Sequence, residues 1–365
     1  MKLLKLGNKV VEIPIIQGGM GVGISSSSLA GAVAAQGAVG IISTAQLGYD
    51  EDNFDKNQNK CNLHAIGKHI KKAKEIAGGN GLVGVNVMVA LKHFKEHVRT
   101  AAEAGADVII CGAGLPMELP QIIDDMDAES RPAIAPIVSS AKAANLVLKM
   151  WDRHYSRTAD FLVIEGPKAG GHLGFSLEQL DGYKDKALDY DSEIIEIIKV
   201  KSFFEEKYGK EIPVIVAGGI FDEEDIRHVI GLGADGVQIA SRFVATQECD
   251  ASDAYKKAYV QAGDEDITIV KSPVGMPGRA LNNKFIKDNQ LCRKKITKCY
   301  NCLEKCNPAK VPYCITEALI NAVKGNIDEG LIFCGSNVGR IKEITTVKEL
   351  VDQLKCAFDD KYPTH

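Results

Sequence analysis

Eight short apolar segments, separated by longer amphipathic stretches, constrain the fold of this chain more than any other feature. Because they show no polar alternation, the segments are typical of parallel strands that are covered on both faces. Amphipathic stretches such as 93–105 and 222–233 lie between most of them and predict helices. The segments read IPIIQGG (13–19), VGIIST (39–44), LVGVNVMV (82–89), VIICGAG (108–114), RPAIAPIVS (131–139), FLVIEG (161–166), IPVIVAGG (212–219) and GVQIASRF (236–243).

Eight strand–helix units between residues 13 and 243 predict an α/β fold of the (β/α)8 barrel (TIM barrel) type, for which about 250 residues are usual. A related phrase recurs in GADVIICGAG, TADFLVIEGP and GADGVQIASR, where Asp107, Asp160 and Asp235 each precede a strand. The alternative is an open doubly wound sheet, which usually carries G-x-G-x-x-G after its first strand. The corresponding turn, GGMGVGISSSSLAG (18–31), does not match that motif cleanly, so the barrel is favoured.

Composition and charge are those of an ordinary globular enzyme. The 365 residues are 45% hydrophobic and 25% charged, with a net charge of −4, which offers no electrostatic reason to expect nucleic acid or an anionic membrane as partner. No apolar run approaches the ~20 residues that span a bilayer, and polar residues interrupt the first sixteen before a signal-like core develops. These features predict a cytoplasmic protein that acts on a small molecule, and they leave its oligomeric state open.

The pattern changes near residue 285, which predicts two regions. Residues 1–285 carry the barrel, and residues 286–365 form a cysteine-rich, partly helical extension that packs on it. The stretch SPVGMPGRALNN (272–283) breaks the strand–helix alternation, and helix-like segments such as ITEALINAVKG follow it.

Cysteines cluster in the extension. Cys299, Cys302, Cys306 and Cys314 have a C-x2-C-x3-C-x7-C spacing, with which four thiolates can hold a zinc ion or an iron–sulfur cluster. The alternative is a set of reduced, buried thiols that pack as small hydrophobic side chains. Spacing leaves both interpretations open.

The carboxyl ends of barrel strands carry the functional site in this fold class. The ends of the seventh and eighth strands predict a phosphate site formed by the backbone of Gly218, Gly219 and residues 239–241. After the sixth strand, EGPKAGGHLGF (165–175) passes through two glycines and presents His172, a residue suited to proton transfer near neutral pH. The alternative is a tight turn with a surface histidine. Two long loops, 47–64 and 175–192, are predicted to be lids or pocket walls.

Taken together, PIIQGGMGVGIS, GVNVMV, EGPKAGGHLG, VIVAGGI, GADGVQIASRF and SPVGMPGRALNN resemble the nitronate monooxygenase family, once called 2-nitropropane dioxygenases. The flavin-dependent enoyl-acyl-carrier-protein reductases are close relatives with nearly the same motifs. The resemblance covers roughly residues 10–285 and implies a (β/α)8 barrel that binds FMN.

The resemblance also implies site residues. The catalytic histidine falls on His172, and a strand-end amide that faces the flavin falls on Asn86. The other residues implied to contact FMN are Gly19, Met20, Glu165, Gly170, Gly218, Gly219, Gln238, Ile239, Ala240 and Ser241. The segment GLIFCGSNVGRI (330–341) is implied to return to the pocket and to bring Cys334 there.

Two positions depart from the family pattern. Many members have Gln where this chain has Glu165, and relatives on the reductase side often have Glu both there and at the position of Lys168. The chain matches neither pattern fully, so the resemblance leaves the choice of activity open.

The expected function is an FMN-dependent nitronate monooxygenase, an oxidoreductase that converts alkyl nitronates with O2 to a carbonyl compound and nitrite. The alternative enzyme is an NAD(P)H-dependent flavin enoyl-thioester reductase. A flavin- or metal-binding sensor, whose cysteine-rich extension recognises a partner, is the alternative from a different class. Charged helical stretches carry further histidines that are predicted to be solvated: His64, His69, His93, His97, His154 and His228.

Overall fold

A computed structural model of the chain describes residues 3–126, 130–184, 188–292 and 295–359. Eight parallel strands close into a barrel, so the predicted (β/α)8 architecture is confirmed. The predicted apolar segments each contain one barrel strand, although the strands are shorter than the segments. The strands in chain order are β1 (Leu4–Leu6), β2 (Lys9–Val11), β3 (Ile15–Gln17), β4 (Val39–Ser43), β5 (Leu82–Met88), β6 (Val108–Gly112), β7 (Ala133–Val138), β8 (Leu162–Glu165), β9 (Gly171–His172), β10 (Val214–Ala217), β11 (Gly236–Ile239), β12 (Ile267–Lys271) and β13 (Pro277–Leu281).

Helices follow most of the barrel strands and continue into the C-terminal extension. They are α1 (Ser27–Ala35), α2 (Gln58–Ala77), α3 (Phe94–Glu103), α4 (Leu119–Asp124), α5 (Ala141–Tyr155), α6 (Leu177–Lys184), α7 (Tyr190–Tyr208), α8 (Glu223–Gly231), α9 (Ser241–Val244), α10 (Asp253–Gln261), α11 (Lys284–Leu291), α12 (Ile315–Val323) and α13 (Val347–Lys355). Within the described residues, no helix is long and apolar enough to cross a bilayer.

The barrel strands are apolar throughout because their two faces bury different partners. In β6, Val108 and Ile110 belong to the cluster inside the barrel, whereas Ile109 and Cys111 belong to the cluster between the strands and the helices. Alternate residues along a strand point to opposite faces, so both sets must be apolar when both faces are covered. The barrel runs in the order β3-β4-β5-β6-β7-β8-β10-β11 and closes between β11 and β3.

The recurring aspartates connect the amino-terminal ends of neighbouring strands. The carboxylates of Asp107 and Asp235 accept the backbone N–H groups of Val83 and Val214, each at 2.9 Å. In return, the backbone N–H of each aspartate donates to the carbonyl of the same valine. Asp160 makes the equivalent pair of hydrogen bonds with Ile134. The repeated phrase therefore encodes a structural device at the end of the barrel opposite the predicted site.

The hairpin β1–β2 covers this same end. Its strands pair in antiparallel fashion from Leu4↔Val11 to Leu6↔Lys9. Leu4, Leu6 and Val11 are buried in the cluster inside the barrel, next to Phe161. The amino-terminal end of the barrel is therefore packed with side chains.

The stretch 272–283 does not simply interrupt the pattern. Its second half is β13, which pairs with β12 and also with β9, placing Gly278 opposite His172. A short sheet outside the barrel thus holds the glycine-rich loop that follows β8.

The C-terminal extension contacts the barrel side of the molecule at several points. Leu91 forms an isolated bridge with Leu303, and Thr246 forms one with Thr345. Buried residues of α12 and α13 belong to the same hydrophobic cluster as the outer faces of the barrel strands. The division of the chain at residues 285 and 286 stays a prediction, and the segments 127–129, 185–187, 293–294 and both chain ends lie outside the described residues.

We expect Asp235→Ala to lower the free energy of unfolding by about 1–3 kcal/mol, because the N–H of Val214 loses its acceptor next to a buried strand. Asp235→Asn keeps an acceptor oxygen and should cost less. Urea denaturation measures both, with Asp181→Ala on the exposed face of α6 as the control. An Asp235→Ala effect no larger than that of the control would contradict the structural role.

Candidate active site

A cavity of about 230 Å³, called here the rim cavity, lies at the carboxyl ends of the barrel strands. The structure brings all of the barrel residues that were predicted to bind FMN or to act in catalysis to its wall. They are Gly19, Met20, Asn86, Glu165, Gly170, His172, Gly218, Gly219, Gln238, Ile239, Ala240 and Ser241. Residues from β3, β5, β8, β10 and β11 therefore converge, although they are far apart in sequence.

Glycines shape the floor of the rim cavity where the backbone has no room for a side chain. A Cβ on Gly19 would lie 2.5 Å from the Cβ of Asn86. Gly218 and Gly219 have φ values of 92° and 94°, which an L side chain rarely adopts. These two residues follow β10, at the position where the sequence predicts a phosphate site.

His172 is oriented by residues outside the barrel. Its Nε2 atom lies 2.7 Å from Ser272 Oγ, and its ring meets the ring of Phe333 edge-on at 5.0 Å between centroids. Burial lowers the pKa of His172 from 6.5 to about 4, so the imidazole is neutral at physiological pH. A neutral ring can donate a proton from one nitrogen and accept one at the other.

Glu165 ends β8 and also lines the rim cavity. Burial raises the pKa of its carboxyl group from 4.5 to about 8, so the group is protonated at neutral pH. Its backbone carbonyl accepts the hydroxyl of Tyr190 at 2.9 Å. Glu165 and His172, two of the titratable groups that line the cavity, are therefore both uncharged near pH 7.

Segment 333–337 of the extension closes one side of the rim cavity, and Cys334 lies there as the resemblance implied. The backbone N–H of Gly335 donates to Ser241 Oγ at 2.9 Å, and Asn337 Nδ2 donates to the carbonyl of Gly219 at 2.7 Å. A Cβ on Gly170 would lie 2.6 Å from the carbonyl carbon of Cys334. The loops that carry the predicted phosphate site are thus connected directly to the extension.

Sequence reasoning missed Ser272, and within segment 330–341, which was implied to return to the pocket, it singled out only Cys334. Ser272 and Phe333 position His172, and Ser336 and Asn337 line the cavity. The segment CGSN, with its small and polar residues, was a weak signal for Ser336 and Asn337. Nothing in the sequence indicated which side chain would contact His172.

Two polar atoms on the wall have no partner in the described part of the chain. They are Gln238 Oε1 and Ser336 Oγ, both buried. Buried polar atoms are normally hydrogen-bonded, so these atoms point to a bound group that carries donors. Lys168 adds a positive charge to the wall. Its side chain is exposed, and its aliphatic carbons pack against Gly219.

The prediction of a zinc or iron–sulfur site finds no support. Cys299, Cys302, Cys306 and Cys314 do share a small cavity of about 40 Å³, but the described residues contain no group of three or more His, Cys, Asp or Glu arranged to hold a metal ion. Burial raises the pKa of Cys302 to about 11 and also raises that of Cys306 and Cys314, which keeps these thiols protonated. The alternative of buried, packed thiols is not borne out fully either, because Cys299 is exposed and the other three thiols are only partly buried.

Comparison with known families gives one match over most of the chain: the model described as nitronate monooxygenase matches residues 4–356. A protein of Bacillus subtilis (strain 168) named probable nitronate monooxygenase is 24% identical over 381 residues, covering 95% of this chain and 96% of that protein.

Solved structures share the fold over the same extent. FabK from Thermotoga maritima superposes with a TM-score of 0.70 at 25% identity, covering 95% of this chain and 93% of that one. Nitroalkane oxidase from Streptomyces ansochromogenes superposes with a TM-score of 0.70 at 19% identity, covering 95% and 96%. At 19% identity, the similarity to nitroalkane oxidase is evidence for a shared fold alone.

The raised pKa of Glu165 predicts a pH-dependent stability. Between about pH 4.5 and pH 8 the carboxyl group of Glu165 ionises in the unfolded chain but stays protonated in the folded one. The free energy of unfolding therefore falls as pH rises through this range. We expect Glu165→Gln to raise the melting temperature relative to the parent, by an amount that grows from about pH 5 to about pH 8. Below pH 6.5 the lowered pKa of His172 makes the free energy of unfolding rise with pH. This effect is present in both the parent and the variant, so it cancels when their melting temperatures are compared.

Thermal unfolding across this pH range measures the difference. Glu178→Gln, on the exposed face of α6, is the matched control with which the pH profile of Glu165→Gln is compared. A flat profile for Glu165→Gln would show that the carboxyl is ionised in the folded protein.

Proposed function

Because the chain belongs to the nitronate monooxygenase family, we propose that it is an FMN-dependent oxidoreductase that uses O2 to convert alkyl nitronates to a carbonyl compound and nitrite. One observation carries this proposal: an uncharged histidine, held by Ser272 and Phe333, faces a glycine-lined cavity at the carboxyl ends of the barrel strands. A cytoplasmic location stays a prediction, as does the absence of nucleic-acid and membrane partners.

The residues of the rim cavity fit FMN. Gly218 and Gly219 have positive φ values and line the cavity after β10 together with residues 239–241, where backbone N–H groups can bind a phosphate. Gln238 Oε1 is a buried acceptor without a partner in the described chain, which suits the N–H edge of a flavin ring. Gly19 packs closely against Asn86, and both residues line the cavity on the side where a flat ring would lie. When bound, FMN supplies electron acceptance and reaction with O2.

His172 is proposed to be the catalytic base and the residue that positions the substrate. A nitronate is an anion whose charge lies on the nitro oxygens, to which a neutral imidazole N–H can donate. With a neutral nitroalkane, the lone pair of the same ring accepts the proton from the carbon next to the nitro group. Because burial keeps the ring neutral, it is available for either task at physiological pH.

Charge at the cavity favours an anionic substrate. Glu165 is protonated near pH 7 and therefore places no negative charge next to the substrate. Lys168 lies on the wall and supplies a positive charge that attracts an anion.

Glu165 also favours a second candidate, the NAD(P)H-dependent enoyl-thioester reductase, because relatives on the reductase side often carry Glu at this position. Lys168 departs from that pattern. In a reductase, His172 would orient the enoyl thioester, and the same cavity would serve a different substrate.

The visible spectrum of the purified, FMN-loaded protein distinguishes these candidates. We expect an alkyl nitronate, such as the anion of nitroethane, to change the flavin absorption bands under anaerobic conditions and to yield nitrite when air is admitted. Flavin bands that stay oxidised with the nitronate but bleach with NADPH or NADH would favour the reductase. A protein that binds no flavin from added FMN would contradict both.

His172→Asn should lower nitrite release about 10²–10⁴-fold, the usual contribution of a general acid or base, while flavin absorption is retained. His154→Asn changes an exposed histidine on α5 and serves as the control. Turnover that is unchanged by His172→Asn would contradict the catalytic role of His172.

A further inference from the structure

A second cavity of about 380 Å³, called here the side cavity, lies beside the rim cavity. Its walls come from Gln46, from residues 56–62 around the start of α2, from residues 91–97 around the start of α3, and from residues 300–302 of the extension. Ala45 lines the rim cavity and the next residue, Gln46, lines the side cavity, so the two are neighbours. The predicted loop 47–64 is only partly a loop, because α2 begins at Gln58, and its residues 56–62 contribute to the wall of the side cavity.

His97 lies on this wall and is buried, with only 3% of its surface exposed, so the prediction of a solvated side chain is wrong. The amphipathic pattern of α3 places it on the face that packs inward, beside Val98 and Ala101. Its Nδ1 atom is buried and has no hydrogen-bond partner in the described chain. Burial lowers the pKa of His97 to about 4, so the ring is neutral and offers one donor and one acceptor.

A second unpaired polar atom lies on the same wall. Asn59 Oδ1 is buried without a partner among the described residues, whereas Asn59 Nδ2 donates to Glu96 at 2.7 Å. Nearby amides are satisfied, since Asn62 Nδ2 donates to Gln46 Oε1 at 3.0 Å. The free acceptor on Asn59 suits a ligand that carries a hydroxyl group.

Two lysines contribute positive charge to the wall of the side cavity, and one of them, Lys60, also lines an adjoining pocket that contains Asp50, Glu51 and Asp52. Lys56 and Lys60 line the side cavity, both are exposed, and neither forms an ion pair in the described part of the chain. No carboxylate is among the lining residues, and the nearby Glu96 is already bonded to Asn59 and to His93. Two lysines disfavour a metal cation and favour an anion.

We propose that the side cavity binds a hydroxylated phosphate monoester, of the class that includes sugar phosphates and mononucleotides. Lys56 and Lys60 pair with the phosphate, His97 donates to an oxygen of the ligand, and a ligand hydroxyl donates to Asn59 Oδ1. The volume suits a molecule of this size better than a free phosphate ion. This inference does not depend on the reaction at the rim cavity.

Equilibrium binding to protein that carries one equivalent of FMN, with free FMN removed, tests the proposal, because the bound FMN occupies the rim cavity and leaves the side cavity open to the probe. The probes are AMP, ribose 5-phosphate and inorganic phosphate. We expect saturable binding of at least one of the two esters, and weaker binding of inorganic phosphate, which carries no ribose hydroxyl for Asn59. Lys56→Gln combined with Lys60→Gln should weaken ester binding by about tenfold.

The matched control combines Lys71→Gln with Lys72→Gln, which removes the same charge from exposed positions on α2. Equal affinities in the two double variants would overturn the proposal. Absence of saturable binding by all three probes would also overturn the proposal. If inorganic phosphate bound as tightly as the esters, the assignment of the ligand as an ester would be overturned.

Imidazole nitrogen NMR of the parent protein keeps the test independent of any folding defect. The His97 resonances, identified by their loss in His97→Gln, should shift as the bound ester is titrated in. The resonances of the exposed His154 should not. Unchanged His97 resonances at saturation would show that the ester binds elsewhere.

Discussion

Each strand of the barrel is apolar on two faces, because closure turns one face toward the strands opposite and leaves the other against helices. Val108 and Ile109 are neighbours in sequence and lie in different hydrophobic clusters for this reason. Closure also places all eight carboxyl ends on one rim. The rim cavity follows from this geometry, because the opposite end is filled by the hairpin β1–β2.

The barrel by itself does not complete the candidate site. His172 lies on β9, which pairs with β13 outside the barrel, and its ring contacts Ser272 and Phe333. Segment 333–337 bonds to the loops that follow β10 and β11. The extension therefore has a direct part in shaping the rim cavity, and its residues 300–302 also form one wall of the side cavity. Burial in this setting makes both His172 and Glu165 uncharged near neutral pH, although one is a base and the other an acid.

Much of the fold and of the rim cavity could be predicted, because their signals are local. Apolar runs of strand length report burial on both faces, and glycines at strand ends report close approach of the backbone. Gly19 and Gly219 could be located in this way, and both line the cavity. Other predictions were wrong or found no support because the same local sequence pattern is compatible with two different structures. The spacing of Cys299 to Cys314 suits either metal ligation or packing, and His97 on a charged stretch suits either a solvated or a buried ring.

The sequence by itself determined the number of barrel strands, the end of the barrel that carries the site and most of the residues along its rim, because each depends on periodicity and on the backbone freedom of glycine. Only the tertiary structure decided which side chains meet. Ser272 lies beside His172 although 100 residues separate them, and Asn59 and His97 share a cavity with residues 300–302. It also decided the charge of the candidate site. A protonation state depends on how much solvent the surrounding chain excludes, and that quantity exists only once distant segments have packed together.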